Sequence, residues 1–230
     1  MKFYNSIMFY RPWWGLLAIL LAALGLVSCH DHTDIYDSSI RVGSILLTDN
    51  TVISPMGYDA SEHQAAGVIF YVNKDTALVV GLRELGSHQF SDTLSSVSGV
   101  VNDAVSKCGT ENTAAIVASG INSPAVESVL HYPSPVSGWV LPSAGELRAL
   151  SANRCAVETA MRIIEGDAFS NSQYVSSSQD GSSSESEQMY YLSVSLANGF
   201  VTSTVKTSPG AVRPVMRIRC YLHSCSIIVI

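Results

Sequence analysis

The stretch SGWVLPSAGEL, from Ser137 to Leu147, carries the clearest local signals in the chain and decides how its middle folds. Ser143, followed three residues later by Glu146, has the form of a capping box, in which each side chain bonds the backbone N–H of the other residue. This motif predicts a helix that begins after Ser143 and runs towards Ile164, with a break near Asn153. We therefore interpret the stretch as a junction between a strand and a helix.

Trp139 and Pro142 lie at this junction. A tryptophan between apolar neighbours is expected to fill the core, and a proline at this point is expected to set the turn before the helix. The alternative is that Trp139 is a platform on which a ligand stacks. Either role makes this segment central to the domain.

Two strong hairpin signals flank the junction, one on each side. Residues 67–72 (GVIFYV) and 77–82 (ALVVGL) are almost continuously apolar, so they are expected to be central and buried on both faces. Residues 188–196 and 200–206 alternate like strands around Asn198-Gly199, a dipeptide that is typical of hairpin turns. The chain is therefore expected to contain antiparallel sheet before and after its middle.

The middle of the chain is predicted to be mainly helical. Apolar residues recur at roughly helical spacing over residues 96–107, and Gly109 is placed to end that helix. Residues 112–119 begin with a plausible N-cap, and residues 124–131 begin with a proline in the first turn. Residues 176–187 (SSSQDGSSSESE) predict a solvated loop, because their helix and strand propensities are low. A linker between domains is the alternative, and it is rejected because too little chain follows for a second core.

The composition excludes several functional classes. The 230 residues are 47% hydrophobic and only 14% charged, and the formal net charge is -6. The chain is too apolar to be disordered throughout. It has no basic run, so it is not expected to bind nucleic acid. Sparse charge with abundant serine, glycine and threonine indicates a secreted, β-rich domain.

The N-terminus predicts export. Lys2 and Arg11 precede an apolar stretch from Trp13 to Val27, which is short for a membrane span and fits a signal peptide. The stretch ends in LVSC, which resembles the bacterial lipobox, and this resemblance implies cleavage before Cys29 and lipidation of that residue. A plain signal peptide is the alternative. We expect residues 1–28 to be a lipoprotein signal peptide and the protein to be anchored in the outer membrane, exposed at the cell surface.

Residues 29–41 are expected to form an acidic tether. Asp31, Asp34 and Asp37 follow the lipobox cysteine closely. Acidic residues at this place resemble the surface-export signal of Bacteroidota lipoproteins. The folded domain is then expected to span residues 42–218.

The end of the chain divides into a strand and a tail. Residues 211–218 predict a final strand, in which Pro214 should lie at an edge or beside a bulge. Residues 219–230 (RCYLHSCSIIVI) look like an apolar extension or a shifted reading frame. We expect this atypical tail to be dispensable for the fold.

Four cysteines remain when Cys29 is set aside: Cys108, Cys155, Cys220 and Cys225. An oxidising compartment permits disulfides, and three pairings are possible. No CxxC pair and no zinc-type Cys/His spacing is present in the sequence, so neither a metal nor a cofactor is expected. Buried thiols or one disulfide are the expected roles, and a Cys–His nucleophile is the alternative.

Four segments together resemble one protein family. Residues 67–82 resemble its opening hairpin, and residues 138–147 are similar to its motif G-W-x-L-P-[ST]-x-x-E-L. Tyr174–Ser178 (YVSSS) resembles its Y-W-S-S-T/S segment, and Val212–Val215 matches its closing V-R-P-V. On these segments, residues 42–218 resemble the Lcl C-terminal domain family, which is common in Bacteroidota surface lipoproteins.

The resemblance implies a compact α+β domain with a C-type-lectin-like fold, antiparallel hairpins and two to four helices. Related architectures include formylglycine-generating enzymes and bacterial adhesins, and the domain of one relative binds glycosaminoglycans. Such a fold hosts many functions, so function does not follow from it alone. Val175 stands where the family has tryptophan, which removes one aromatic platform for a sugar, and no calcium-binding motif is present in the sequence.

From this resemblance we expect a non-enzymatic protein that binds a glycan or a surface protein, with adhesion as its role. The suggested ligand-binding residues are Trp139, Tyr174 and Arg213, and no catalytic residue is expected. Arg213 is also expected to pair with a carboxylate, for which Glu146 is the suggested partner. The alternatives are a formylglycine-generating type of enzyme, which needs a reactive pair of cysteines, and an accessory subunit of a fimbrial or polysaccharide system.

Overall fold

Two β-sheets and the helices packed on them make up the folded part of the chain. The computed structural model describes residues 40–74, 76–221 and 224–229, with side chains up to Arg219. The strands are β1 (Ile45–Leu47), β2 (Val52–Ile53), β3 (Ala65–Asn73), β4 (Thr76–Gly81), β5 (Ser87–Gln89), β6 (Gln173–Tyr174), β7 (Tyr190–Ser195), β8 (Val201–Val205), β9 (Pro209–Ala211), β10 (Val215–Tyr221) and β11 (Ser224–Val229). The described α-helices are α1 (Gly109–Ser119), α2 (Pro124–Leu130), α3 (Ala144–Ala152), α4 (Arg154–Ile163) and α5 (Ser184–Met189).

The larger sheet has the strand order β11-β10-β4-β3-β1-β2, and its neighbouring strands are antiparallel. The predicted apolar hairpin forms its centre, as β3 and β4. Val68 and Ile69 point to opposite faces of β3, and both are fully buried. The core around Val68 includes residues of α3 and α4, and the core around Ile69 includes residues of α1 and α2. Because both faces are covered, the central strands are apolar throughout.

The smaller sheet has the strand order β5-β9-β6-β7-β8. Its pairs are antiparallel except for β6 and β9, which run parallel. The predicted second hairpin is present as β7 and β8. Its turn places Gly199 at a φ of 72°, in the left-handed region that glycine adopts without strain.

The predicted capping box at the start of α3 is confirmed. The Ser143 hydroxyl accepts a hydrogen bond from the backbone N–H of Glu146, and the Glu146 carboxylate accepts one from the N–H of Ser143 at 2.9 Å. The predicted break near Asn153 is also present, since this residue ends α3 and precedes α4. The junction therefore folds as its local sequence indicates.

The predicted helix over residues 96–107 is wrong, because this segment is an irregular loop. Gly99 adopts a φ of 85°, which a right-handed helix does not allow. The Asn112 side chain bonds both the N–H and the carbonyl of Val101, so these backbone groups are satisfied without a helix. Gly109 begins α1 instead of ending a helix before it.

The prediction of a solvated loop over residues 176–187 is also wrong for much of that segment. Ser176–Gln179 is completely buried, and α5 forms just after it. The N–H of Ser177 donates to the carbonyl of Pro142 at 2.7 Å, and the N–H of Leu192 donates to the carbonyl of Ser178 at 2.9 Å. Small serines fit beside backbone in this way, and hydrogen bonds of the Ser176 and Ser178 hydroxyls offset the penalty for burying them.

The predicted closing strand is two strands in different sheets. The strand β9 ends at Ala211, the next three residues form a connection that includes Pro214, and β10 begins at Val215. The expected domain boundary at Ile218 falls inside β10, and Ile218 pairs with Val229 of β11. That residues 219–230 are dispensable stays a prediction.

The described part of the chain thus has an α+β fold, as predicted at that coarse level, and it belongs to one compact unit. It contains five α-helices, where two to four were expected. Its helices include none that is both long and apolar enough to cross a membrane. The predicted signal peptide and lipidated Cys29 lie outside the described residues, as does the tether up to residue 39.

Candidate functional site

Trp139, the first suggested ligand-binding residue, is a core side chain. Only 5% of its surface is exposed, and its indole N–H donates to the carbonyl of Val136 at 2.8 Å. The ring of Tyr132 meets it edge-on, with 5.1 Å between the ring centres. The indole is therefore enclosed by protein, as the core interpretation predicts.

Tyr174, the second suggested residue, is completely buried in the smaller sheet. Its hydroxyl donates a short hydrogen bond to the Glu84 carboxylate and accepts one from the N–H of Ser170 at 2.8 Å. Burial, aided by the bond to Glu84, raises the pKa of Tyr174 to about 12. The phenol is thus held neutral inside the protein.

Arg213, the third suggested residue, is completely buried, and the prediction that it pairs with Glu146 is wrong. Its guanidinium donates to the backbone carbonyls of Gly81 at 2.9 Å and of Leu82 and Asp167 at 3.0 Å each. Backbone oxygens from two separate segments therefore take the place of the expected carboxylate. The guanidinium also lies over the ring of Phe169, 4.9 Å from its centre, so the side chain holds these segments together.

Glu146 instead lies behind an open cleft, where it is 1% exposed. It accepts hydrogen bonds from the N–H groups of Ser143 and Gly109, and one oxygen lies 3.7 Å from the guanidinium of Arg217. Burial raises the pKa of Glu146, while these donors and Arg217 oppose the shift. Arg217, and not Arg213, is the arginine near this carboxylate.

The cleft has a volume of about 560 Å³ and opens where β3, β4 and β10 meet the loop before α1. Alternation along β10 places two arginines in it. Met216 and Ile218 are buried in the core, so Arg217 and Arg219 face the other side of the strand. Arg217 lies opposite Leu78 of β4, and Arg219 follows on the same face.

Three cations and an aromatic ring line this cleft. The Lys107 ammonium lies 4.5 Å from the centre of the Tyr71 ring. Arg217 forms an ion pair with Glu111 of 2.7 Å and donates to the carbonyl of Lys107. Arg219 is exposed, and it takes part in none of the ion pairs among the described residues. Two of the three cations therefore have donors available for a bound anion.

These cleft residues were not predicted from the sequence. The signal that could have identified Arg217 and Arg219 is their i, i+2 spacing in a predicted strand, which places both on one face. Lys107 gave no such signal, because its segment was predicted to be helical. Tyr71 was interpreted only as part of a buried strand, although it lies partly exposed near the end of β3.

The two cysteines with described side chains are unpaired and differ in exposure: Cys108 is buried and Cys155 is exposed. Burial, aided by the charge of Glu146, raises the pKa of Cys108 to about 11. A nucleophilic cysteine requires the opposite shift, so this thiol is not activated. The side chains of Cys220 and Cys225 are outside those described.

Within the part of the chain that the structure describes, no group of three or more His, Cys, Asp or Glu side chains is arranged to hold a metal ion. A comparison with protein-family models found no match, and no curated protein is significantly similar to the chain. The function of the cleft is therefore inferred from its own residues.

Proposed function

We propose that the protein is a lipid-anchored surface lipoprotein whose domain is C-type-lectin-like, belongs with the Lcl C-terminal domain family and binds an acidic glycan in this cleft. Its role is adhesion and not catalysis. The observation that carries the proposal is the convergence of Lys107, Arg217 and Arg219 beside the Tyr71 ring in an open cleft.

The chemistry of these groups suits sulfate or carboxylate on a sugar. Arginine presents a planar fork of donors that matches such groups, and lysine adds a mobile positive charge. The volume of about 560 Å³ lies in the range of roughly 300–1,000 Å³ that is usual for small-ligand pockets. A tyrosine ring beside the cations offers an apolar surface for a sugar ring. Together these features favour an acidic saccharide over a neutral one.

The position of the cleft supports a binding role. Its floor is formed by strands of the central sheet, which fix the backbone that carries the two arginines before a ligand arrives. Glu111 neutralises part of the charge of Arg217, so an incoming anion competes with that carboxylate. This competition would make binding selective for multiply charged glycans.

The proposal is tested by measuring the binding of heparin and of neutral dextran to the full-length protein in detergent. We expect heparin to bind, with an affinity that falls as salt rises, and dextran not to bind. Arg219→Ala and Lys107→Ala should each weaken heparin binding about fivefold to tenfold, through loss of a charge-assisted hydrogen bond. Arg162→Ala, which removes an exposed cation on α4, is the matched control and should change nothing. Equal affinities for all three variants and the wild type would contradict the cleft as the site.

The anchor has its own test. Cys29→Ala should release the protein from membranes into the soluble fraction, because stable attachment is expected to depend on acyl chains at this residue. Persistent fractionation of the variant with the outer membrane would show that lipid on Cys29 does not hold the protein there.

A further inference from the structure

Lys206, at the end of β8, is buried in a way that is unusual for lysine. None of its surface is exposed, and none of the ion pairs among the described residues includes it. Its ammonium nitrogen lies 2.5 Å from Oε1 of Gln179 and 2.6 Å from the carbonyl of Ser95, with the Phe90 ring centre at 5.1 Å. Burial lowers the pKa of Lys206 to about 8, so a substantial fraction of the amine is neutral in mildly alkaline solution.

The carboxamide that faces this amine is held in a fixed orientation. Gln179 is completely buried, and its Oε1 accepts a hydrogen bond from the N–H of Val97 at 2.8 Å. Its Nε2 donates to the carbonyl of Val97 at 3.0 Å, so exchanging the two ends of the amide would lose both bonds. The side-chain carbonyl is therefore polarised by a backbone donor and directed at the lysine.

A carboxylate lies at the other end of the same amide. Oε1 of Glu187 is 3.5 Å from Nε2 of Gln179, and the negative charge of Glu187 also acts on the Lys206 amine. A buried amine, a buried and polarised carbonyl, and a partly buried proton carrier at the leaving nitrogen are thus close together. These are the three components that an acyl-transfer step requires.

We propose that Lys206 and Gln179 react with each other to form an intramolecular amide bond. The neutral Nζ attacks Cδ of Gln179, and the N–H of Val97 stabilises the negative charge that develops on Oε1. Glu187 accepts a proton from Nζ and delivers it to Nε2. The bond from Cδ to Nε2 then breaks and one ammonia leaves, so the step needs neither an oxidant nor a further reactant.

The bond would join two segments that are 27 positions apart in the chain. It would join the buried segment Ser176–Gln179, which precedes α5, to the end of the edge strand β8. It would also replace a buried charge by a neutral amide. Both changes favour a domain that must persist outside the cell.

Protease digestion of the full-length protein, extracted from membranes and incubated at pH 9, tests the proposal. The sequence has no Lys or Arg between Arg162 and Lys206, and Pro214 protects Arg213 from trypsin. Trypsin should therefore release residues 163–217 as one peptide, lighter than its sequence mass by one ammonia, because an acylated Lys206 is not cleaved. Cleavage of that peptide after Glu187 should leave two pieces that stay joined. A peptide that ends at a free Lys206, with unmodified Gln179, would overturn the proposal.

Two variants test the role of the carboxylate. Glu187→Gln should reduce the rate of bond formation at least about tenfold, since general acid–base catalysis typically contributes more than that. Glu185→Gln, on the exposed side of the same helix, is the matched control and should form the bond at the wild-type rate. Lys206→Arg keeps the positive charge but should abolish the bond. An undiminished rate in Glu187→Gln would overturn the assigned proton transfer.

Discussion

Arg213 and Arg217 are four residues apart in the closing segment, yet their guanidinium groups are in opposite environments. Arg213 is completely buried and donates to three backbone carbonyls. Arg217 is 21% exposed, lines the cleft and contacts the carboxylates of Glu111 and Glu146. The first arginine stabilises the junction between the sheets, and the second lines the cleft, where an incoming anion would compete with its carboxylate partners.

This difference shows that residue type alone does not identify a binding arginine. Nε and Nη2 of Arg213 donate to the chain's own backbone and the side chain is completely buried, so a ligand cannot reach the guanidinium without opening the structure around it. Arg219, by contrast, is exposed at the cleft. The V-R-P-V motif that contains Arg213 therefore belongs to the buried structural part of the domain. The accessible surface is formed by Arg217 and Arg219, which line the cleft.

The largest effect on stability is expected at Trp139, which is buried like Arg213. Trp139→Ala should lower the free energy of unfolding by about 3–5 kcal/mol, because it leaves a large cavity next to Tyr132. Chemical denaturation of the variant and the wild type measures the change. An unchanged stability combined with a loss of glycan binding would instead make the indole a ligand platform.

Arg213→Met should have the next largest effect, a loss of about 3 kcal/mol, since the hydrogen bonds from the guanidinium to three backbone carbonyls are lost. The matched control is Arg219→Met, at an exposed position of the same segment, which should change stability by no more than about 0.5 kcal/mol. Equal losses in the two variants, measured by urea unfolding, would remove the distinction between the two regions.

Much of the fold was predictable because its signals are local. The capping box at Ser143, the break at Asn153 and the two hairpins each depend on residues within a few positions of one another. Residues 96–107 and 176–187 were mispredicted because their structure depends on distant partners. Gln179, for example, bonds the backbone of a residue 82 positions away.

The candidate site was less predictable than the fold. The cleft forms where Arg217 and Arg219 meet Tyr71 and Lys107, and only the spacing of the two arginines is visible in the sequence. The hydrogen-bond partners of Arg213 could not be predicted either, because they are backbone carbonyls and every residue has one. Side chains that converge through tertiary contacts leave no pattern along the chain.

The buried carboxylate behind the cleft predicts a pH dependence. Burial raises the pKa of Glu146 above its ordinary 4.5, so the folded state binds this proton more tightly than the unfolded chain. The contribution of Glu146 to stability therefore falls as pH rises from about 4.5 through its folded pKa. Asp103 has the opposite effect, because hydrogen bonds from Ser106 lower its pKa. Its contribution to stability falls as the pH drops below about 3.8.

Thermal denaturation at pH values between 4.5 and 7 checks this expectation in the wild type and in Glu146→Gln. The difference in stability between the two proteins should change across that window, because glutamine does not titrate. Arg219→Met, which keeps Glu146, should follow the wild-type profile. A difference that stays constant with pH would show that Glu146 titrates alike in the folded and unfolded states.

The smallest effect on the fold is expected from removal of residues 219–230. The strand β10 would keep its pairing with β4 from Val215 to Ile218, where Met216 and Ile218 fill the core, and would lose its last three residues and its outer neighbour β11. The removed end is apolar and uncharged in residues 227–230, so its loss should also improve solubility. We expect an unchanged circular-dichroism spectrum and a near-zero change in stability.

The same truncation sharpens the comparison between the two arginine environments, because it deletes Arg219 and leaves Arg213 intact. Heparin binding should therefore weaken about fivefold to tenfold while folding persists, which separates the binding surface from the structural centre. A chain that ends at Pro214 is the matched control and should fail to fold, since it lacks a strand that covers one side of β4. Failure of the chain that ends at Ile218 would instead show that β11 is part of the domain, because the outermost pairing would then be needed to hold β10 on the sheet.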